Sequence, residues 1–324
     1  MQGQQVLATN TLGGYLQAPR LSKQLRQAVL PLCKFRQFVS VKEAWGKGKG
    51  NTVLFDRVSR INTGGGTLTE TSTIPRHNLI FGQGTMTLAE WGNAIGKTLK
   101  AEALSELNLN NPIHKALRDD EKVTLDDAVG DQFKDTMARY VALSATSGTL
   151  TTNGVFGGTS TGNLNRYHIE EMTDQLKIWN VPPFADEKYV CIASVKAMRG
   201  IKDDTSVGGW IDAARYAGSK RLFTGEVGEY MGVRFIEETN VLSNAIGNNS
   251  AYGEACVFGQ ETVVEGIALP EEIRLDTPRD FGRDLAVAWY GILGFKIMWC
   301  SYTDSESVDT SKGWVPRIVY VGSL

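Results

Sequence analysis

Apolar positions in this chain follow two different periods, and the change from one to the other divides it. Over Gly50–Arg60 (GNTVLFDRVSR) and Leu79–Trp91 (LIFGQGTMTLAEW), β-branched and aromatic residues alternate with polar ones, as on half-buried strands. Between them, INTGGGTLTETSTIPRHN is rich in Gly and Thr and has little to bury. The pattern predicts one long hairpin with a polar tip. At ~3.3 Å per residue an arm of about 15 residues reaches ~50 Å. That exceeds the roughly 20 Å radius of gyration of a domain this size. A two-stranded ribbon is marginal by itself in water, so the hairpin is expected to draw support from outside, a second subunit being the simplest source.

The helical period comes next. Ile95, Leu99, Ala103 and Leu107 at four-residue spacing predict a helix over Trp91–Leu109, stopped by Asn110–Pro112. Thr124 as N-cap, with Asp127 three residues on, predicts the longest helix at about 124–147. It carries Leu125, Val129, Phe133, Met137 and Val141, would be about 35 Å long, and needs a sheet to cover its apolar stripe. After a Gly/Thr-rich connector (Ser147–Asn163), the pattern gives a helix over His168–Trp179, a buried-type strand at Tyr189–Ala193, a helix from about Ser194 and another around Trp210–Ala217. A turn and strand in GEVGEYMGVRFIEETN (Gly225–Asn240) precede the apolar runs ACVFG and VVEGIAL. RDLAVAWYGILGFKIMW and WVPRIVYVG read as long strands joined by a polar turn, Asp304–Gly313. No internal repeat of fixed period is present. The order of elements is α+β.

Composition adds little except in its distribution. The 324 residues are 42% hydrophobic and 22% charged, ordinary for a globular chain with ample core. Four widely spaced cysteines suggest neither a disulfide framework nor a zinc module, and a reducing compartment is the simplest setting. MQGQQVLATNTLGGYL is too polar for a signal peptide, and Leu285–Trp299 is too short and interrupted to span a bilayer; the chain reads as soluble. Charge is nearly balanced overall, at −2, yet residues 1–60 hold ten Lys/Arg against Glu43 and Asp56. That segment is near +8 and the remainder near −10. Such asymmetry suits a basic arm that meets nucleic acid or the acidic body of another copy; the plain alternative is a solvated surface segment.

Candidate chemistry is sparse. Gly158–Gly162 (GTSTG) matches the nucleophile-elbow pattern, with Ser160 as nucleophile and His168 as a possible base, but its flanks are linker rather than strand and helix. Gly92–Thr98 (GNAIGKT) resembles a phosphate loop around Lys97 but is one residue short between its glycines. Gly46–Asn51 (GKGKGN) lacks the Ser/Thr and the helix such a loop needs. His77, His114 and His168 have no metal-ligand spacing. The adjacent acidic pairs (Asp119–Asp120, Asp126–Asp127, Asp203–Asp204, Glu237–Glu238, Glu271–Glu272) would point in different directions and read as solvated edges. No catalytic, cofactor-binding or metal-ligating set is expected.

The order of parts resembles the major capsid protein of tailed bacteriophages, with the HK97 fold, and within it the N4-type coat family. The likeness is carried by FRQFVSVKEAWGKGKGNTVLFDRV (Phe35–Val58), TLTETSTIPRHNLIFGQGTMTLAEWGNAI (Thr67–Ile95), YVCIASVKAMRGI (Tyr189–Ile201), GEVGEYMGVRFIEETN (Gly225–Asn240) and GRDLAVAWYGILGFKIM near the end. It covers roughly residues 30 to 300. The resemblance implies an N-terminal arm (1–40), a hairpin called the E-loop (41–90), a peripheral domain (91–166 and 270–324) with a spine helix, and an inserted axial domain (167–269). It implies a non-enzymatic subunit that tiles an icosahedral shell as hexamers and pentamers around double-stranded DNA. Separate scaffolding and portal proteins, and possibly a decoration protein, would be its partners, with no membrane. Its location would be the virion, after assembly in the host cytoplasm. The hairpin tip, at Gly64, Gly65, Gly66, Thr67, Pro75 and Arg76, would lie over a neighbouring subunit. Arg20, Lys23 and Arg26 would be the contacts of the basic arm. An encapsulin-like compartment, a hydrolase built on Ser160 and a monomeric nucleic-acid-binding protein are the rival readings.

Overall fold

The computed structural model describes residues 30–44, 50–61, 66–71, 73–74, 76–104, 110–184, 187–203, 226–242, 253–277 and 280–324. Two sheets and a ribbon organise them. A seven-stranded sheet is built from β5 (Ala138–Ser144), β6 (Ser147–Thr151), β7 (Tyr189–Ser194), β8 (Glu226–Tyr230), β9 (Val233–Glu238), β10 (Gly253–Phe258) and β13 (Ile318–Ser323), in the order β6-β5-β13-β10-β7-β9-β8. A four-stranded sheet joins β1 (Ser40–Ala44), β11 (Val263–Leu275), β12 (Asp284–Ile297) and β4 (Ala89–Thr98), in the order β1-β11-β12-β4. The ribbon is the antiparallel pair β2 (Thr52–Val58) and β3 (Phe81–Thr87). The architecture is α+β, as the element order predicts.

The middle strands of the large sheet are buried on both faces, and their period-two alternation sorts residues into two cores. Cys191, Ala193, Phe235, Ala255, Val257, Val319 and Val321 face one way. There they meet Ile169, Met172 and Leu176 of α3 (Arg166–Ile178) and Met198 and Ile201 of α4 (Val195–Lys202). Val190, Ile192, Ile236, Cys256, Phe258, Ile318 and Tyr320 face the other way, against Phe35, Phe38, Val129 and Phe133. Rings of Phe35, Phe133, Phe258 and Phe38 interlock there at centroid distances of 4.8 to 5.3 Å. Burial of this kind, at ~25 cal/mol per Å² of apolar surface, is the main favourable term for the fold.

One helix serves both sheets. α2 (Asn110–Lys134) sets Val129 and Phe133 on the large sheet and Leu117 and Leu125 on Val287, Trp289 and Leu293 of β12. Asp120 of α2 accepts from Trp289 Nε1 at 2.8 Å and from Asn93 Nδ2 at 3.0 Å, tying the helix to two strands of the small sheet. The arm reaches α2 as well: Asp126 accepts from the backbone N–H groups of Lys34 (3.2 Å) and Arg36 (3.1 Å).

Two helix expectations are corrected. Residues 91–98, read as the start of a helix over Trp91–Leu109, belong to β4, and the helix α1 begins only at Leu99 and runs to Leu104. Spacing of four is even, so it keeps Trp91 and Ile95 on one side of a strand as well as on one side of a helix. The long helix is of the expected length, about 37 Å at 1.5 Å per residue, but lies at Asn110–Lys134 rather than 124–147. Asn110–Pro112 opens it instead of stopping it, because a first-turn proline gives up an N–H that no helical bond uses. Thr124 is therefore mid-helix, and Ala138–Ser144 is a strand. The expected elements at 168–179, 189–193 and from Ser194 are present as α3, β7 and α4, the last capped by Ser194, whose Oγ accepts from Ala197 N. The helix expected around Trp210–Ala217 lies outside the described residues. The turn in GEVGEYMGVRF is Met231–Gly232, both at positive φ (52° and 75°), joining β8 to β9.

Candidate functional site

The ribbon is a two-stranded sheet of its own, and its strand alternation gives it two faces. Val53 and Phe55 of β2 and Gly84 and Met86 of β3 point inward. They form a small core with Leu88 and Val264. Its floor is a cross-strand glycine pair, Gly266 of β11 opposite Gly294 of β12. Side chains there would strike Met86 Cε at 2.4 Å and the carbonyl oxygen of Thr87 at 2.8 Å. The bare patch lets the ribbon settle on the sheet. The root of the hairpin is thus seated on its own body, which corrects the expectation that only another subunit could support it.

Polar groups fix the other, outer end of the paired strands. Arg57 makes a two-pronged pair with Glu306 (2.7 and 2.5 Å) and donates to Met298 O at 2.9 Å. The hydrogen bond from Arg57 to the Glu306 carboxylate raises the pKa of the guanidinium above its ordinary value. Trp314 lies against Gly82, and Arg60 N donates to Lys312 O at 2.9 Å. These partners belong to the segment after β12, which the sequence presents only as a polar turn, so nothing in the pattern singles them out.

The outward face is unlike the inward one. It carries Leu54, Asp56 and Val58 opposite Thr85, Gln83 and Phe81, with Gln83 Nε2 donating to Asp56 Oδ1 at 3.0 Å. Phe81 is 65% exposed and Leu54 54%. Past the last bond, from Ser59 N to Ile80 O (2.8 Å), Ile61, Leu68, Ile74, Leu79 and Ile80 are all exposed, Ile74 to 68%. Exposed apolar side chains gathered on one element mark an interaction surface. Of the expected tip residues, Gly66, Thr67 and Arg76 are exposed, while Gly64, Gly65 and Pro75 lie outside the described residues. So do Arg20, Lys23 and Arg26 of the arm.

The near-matches to catalytic motifs do not become sites. Ser160 is buried and its hydroxyl donates to Ala142 O at 3.2 Å. His168 bonds through Nδ1 to the hydroxyl of Tyr140 at 2.8 Å, and that hydroxyl donates to Glu171. Gly92–Thr98 lies within β4; the helix α1 (Leu99–Leu104) follows at once, but an extended strand replaces the loop that a phosphate cradle needs. Burial raises the Cys33 thiol to about 11 and Cys300 to about 12, away from thiolate chemistry. The adjacent acidic pairs do split, but not all are solvated edges. Asp126 holds the arm, and buried Glu238 accepts from the N–H groups of Val241 (2.8 Å) and Leu242 (2.9 Å), while Glu237 pairs with Lys202. Among the described residues no group of three or more His, Cys, Asp and Glu is arranged to hold a metal ion, and no helix is long and apolar enough to cross a membrane.

Solved structures place this architecture. The chain superposes on the capsid subunit of Ralstonia phage GP4 with a TM-score of 0.65 at 15% identity, covering 99% of this chain and 98% of that one. For the capsid of cyanophage Pam1 the TM-score is 0.67 at 15% identity, covering 97% and 98%. For the capsid of Helicobacter pylori bacteriophage KHP30 it is 0.64 at 12%, covering 98% and 97%. The fold is the HK97-like phage capsid fold. No family model and no curated protein matches the sequence.

Proposed function

We propose that this chain is the major capsid protein of a tailed phage, a non-enzymatic subunit whose copies close into an icosahedral shell as hexamers and pentamers. The observation that carries this is the hairpin: a ribbon held by a glycine floor and an Arg–Glu pair, presenting Leu54, Val58, Phe81 and the apolar residues beyond them to solvent. A second copy covers that face, so that one subunit's hairpin lies across its neighbour. Each contact need only be modest, since symmetric interfaces add. The fold's coverage of phage capsid subunits over at least 97% of both chains in the three comparisons supports the reading. Within that class the order of sequence segments favours the N4-type coat proteins. Residues 91–166 and 270–324 serve as the peripheral domain, with α2 as its spine, and 167–269 as the axial domain meeting its copies at the capsomer centre.

Double-stranded DNA is the proposed content, scaffolding and portal proteins the proposed assembly partners, with a decoration protein as a possible addition to the shell, and the host cytoplasm the place of assembly. The basic arm, with Arg20, Lys23 and Arg26, contacts either the genome or a neighbour's acidic surface. Removing it should flatten the salt dependence of nucleic-acid binding only if phosphates are its target. Electron microscopy of the chain expressed alone, and then with the genes beside its own, tests the main reading. Closed shells holding DNA are expected; shells holding protein cargo point to a compartment, and a chain that stays monomeric at every concentration overturns the proposal.

A further inference from the structure

The geometry points to the unpaired edge of β3 as a docking site for an extended, uncharged peptide, with the stretch Met1–Pro19 of this chain as its occupant. β3 pairs with β2 alone. Leu88 N donates to Asn51 O (2.7 Å) at one end of that ladder, and Ser59 N to Ile80 O (2.8 Å) at the other. Bonded and non-bonded pairs alternate between antiparallel strands. The ladder therefore uses Ile80, Gly82, Gly84, Met86 and Leu88, while Phe81, Gln83, Thr85 and Thr87 turn their backbone N–H and C=O groups to the opposite edge. There Gln83 O meets Arg57 Nη2 at a long 3.4 Å. Gln83 N, Thr85 N and Thr85 O have no partner among the described residues.

This edge borders open space. The ribbon meets the body at its base, where Met86 and Thr87 lie on Gly266 and Gly294, and at its outer end, where Trp314 lies against Gly82. Between these attachments a cavity of about 380 Å³ separates Gly82–Thr85 from Trp299, Asp304, Glu306 and Trp314. Gln83, Thr85 and Asp304 are exposed, so it opens to solvent. Its far wall holds two more idle donors: Nε1 of Trp299 and Nε1 of Trp314 are buried without a hydrogen-bond partner. Buried N–H groups are seldom left so. An extended backbone supplies carbonyls for these donors and an N–H for Thr85 O, which is strand addition to a free edge.

Charge selects the peptide. The charged groups lining the cavity are already paired, Arg57 with Glu306 (2.7 Å) and Asp304 with Lys296 (2.7 Å). A charged side chain entering it would have to break one of these pairs or stay unpaired. Met1–Pro19 (MQGQQVLATNTLGGYLQAP) contains no Asp, Glu, Lys, Arg or His. The one other uncharged stretch as long, Val141–Asn165, already has its place, in β5, in β6 and at the N-cap of α3.

Residue-resolved hydrogen exchange on the full chain tests the assignment. In it the amides of Gln83 and Thr85 should exchange at least about tenfold more slowly than in a chain lacking residues 2–19. A synthetic peptide of residues 1–19, added to the shortened chain, should restore the protection. The same peptide carrying Val6→Asp, Thr9→Asp, Leu12→Asp and Leu16→Asp should not. Trp299→Phe with Trp314→Phe, made in the full chain, keeps two aromatic rings but removes both indole donors, and should speed exchange at the same two amides. That variant carries the test if the shortened chain fails to fold by circular dichroism. Equal exchange at Gln83 and Thr85 with and without residues 2–19 overturns the inference, whether water or another occupant meets the edge in both. Restoration by the aspartate peptide overturns it too, since charge would then not select the occupant. Exchange is read whether or not particles form, so failure here leaves the shell reading standing.

Discussion

The ring of Phe55 fills the space that a side chain at Gly84 would need: a Cβ there would stand 2.1 Å from the ring. The two residues are cross-strand partners in the ribbon, and Phe55 is buried against Val53, Met86, Leu88 and Val264. An aromatic laid over a glycine is a device for holding a strand pair that lacks a packed second face. Gly84→Ala should therefore expel the ring and cost about 1–3 kcal/mol, the usual range for overpacking a filled core. Urea unfolding checks the cost, and hydrogen exchange over 52–58 and 81–87 should show protection lost from the ribbon first. Unchanged exchange there would show that the ring does not hold the strands.

The outward face behaves differently. Val58→Ser with Phe81→Ser removes two exposed apolar side chains opposite each other, so the lone subunit should keep its stability to within about 0.5 kcal/mol. Assembly should fall sharply. Sedimentation velocity of the variant beside denaturant unfolding separates the two effects, and equal particle yield from variant and wild type would remove this face from the interface.

Asp126 is the peg for the arm. Its carboxylate accepts from the N–H groups of Lys34 and Arg36. Burial pushes its pKa above the usual carboxylate range, with those N–H groups working against the shift. Asp126→Ala should cost about 1–3 kcal/mol by leaving donors unmatched. Limited proteolysis should then cut near residues 30–38 earlier than in the wild type.

His168 makes stability depend on pH. Burial holds its pKa below the ordinary 6.5, so the folded chain binds this proton less readily than the unfolded chain. With the Tyr140 hydroxyl donating to Glu171, its oxygen accepts from His168 Nδ1. Its contribution is complete above the unfolded value and is lost as pH falls through 6.5 toward the folded pKa. Between about pH 7.5 and about pH 5.5 the wild type should lose more stability than His168→Gln. Urea midpoints at the two pH values measure it; parallel losses would clear His168 of the role.

The ribbon, α3, β7, α4 and the β8–β9 turn were legible because local chemistry and tertiary surroundings agree there. Val53 and Phe55 alternate with exposed neighbours, and Ser194 caps the helix it precedes. Trp91 and Ile95 misled because a spacing of four fits both periods. Met137 and Val141 continue the stripe of Phe133 across the end of α2, where the chain turns at Asp135 and enters a strand buried on both faces. Such a strand lacks the alternation that would have announced it. Of the site, the paired strands of the ribbon were readable. Glu306 and Trp314 were not, because their importance comes from where β12 delivers the polar segment, a distance of some 250 residues along the chain from Arg57.

Ile318–Ser323 lies between β5, to which it is parallel, and β10, to which it is antiparallel. Until those six residues leave the ribosome, the larger sheet exists as two unjoined halves with open edges. Protein synthesis thus delivers the keystone after the stones it must hold, and a nascent chain halted before residue 318 lacks the strand that joins them. A chain without that strand leaves β5 and β10 with unpaired edges, open to pairing with strands of other molecules.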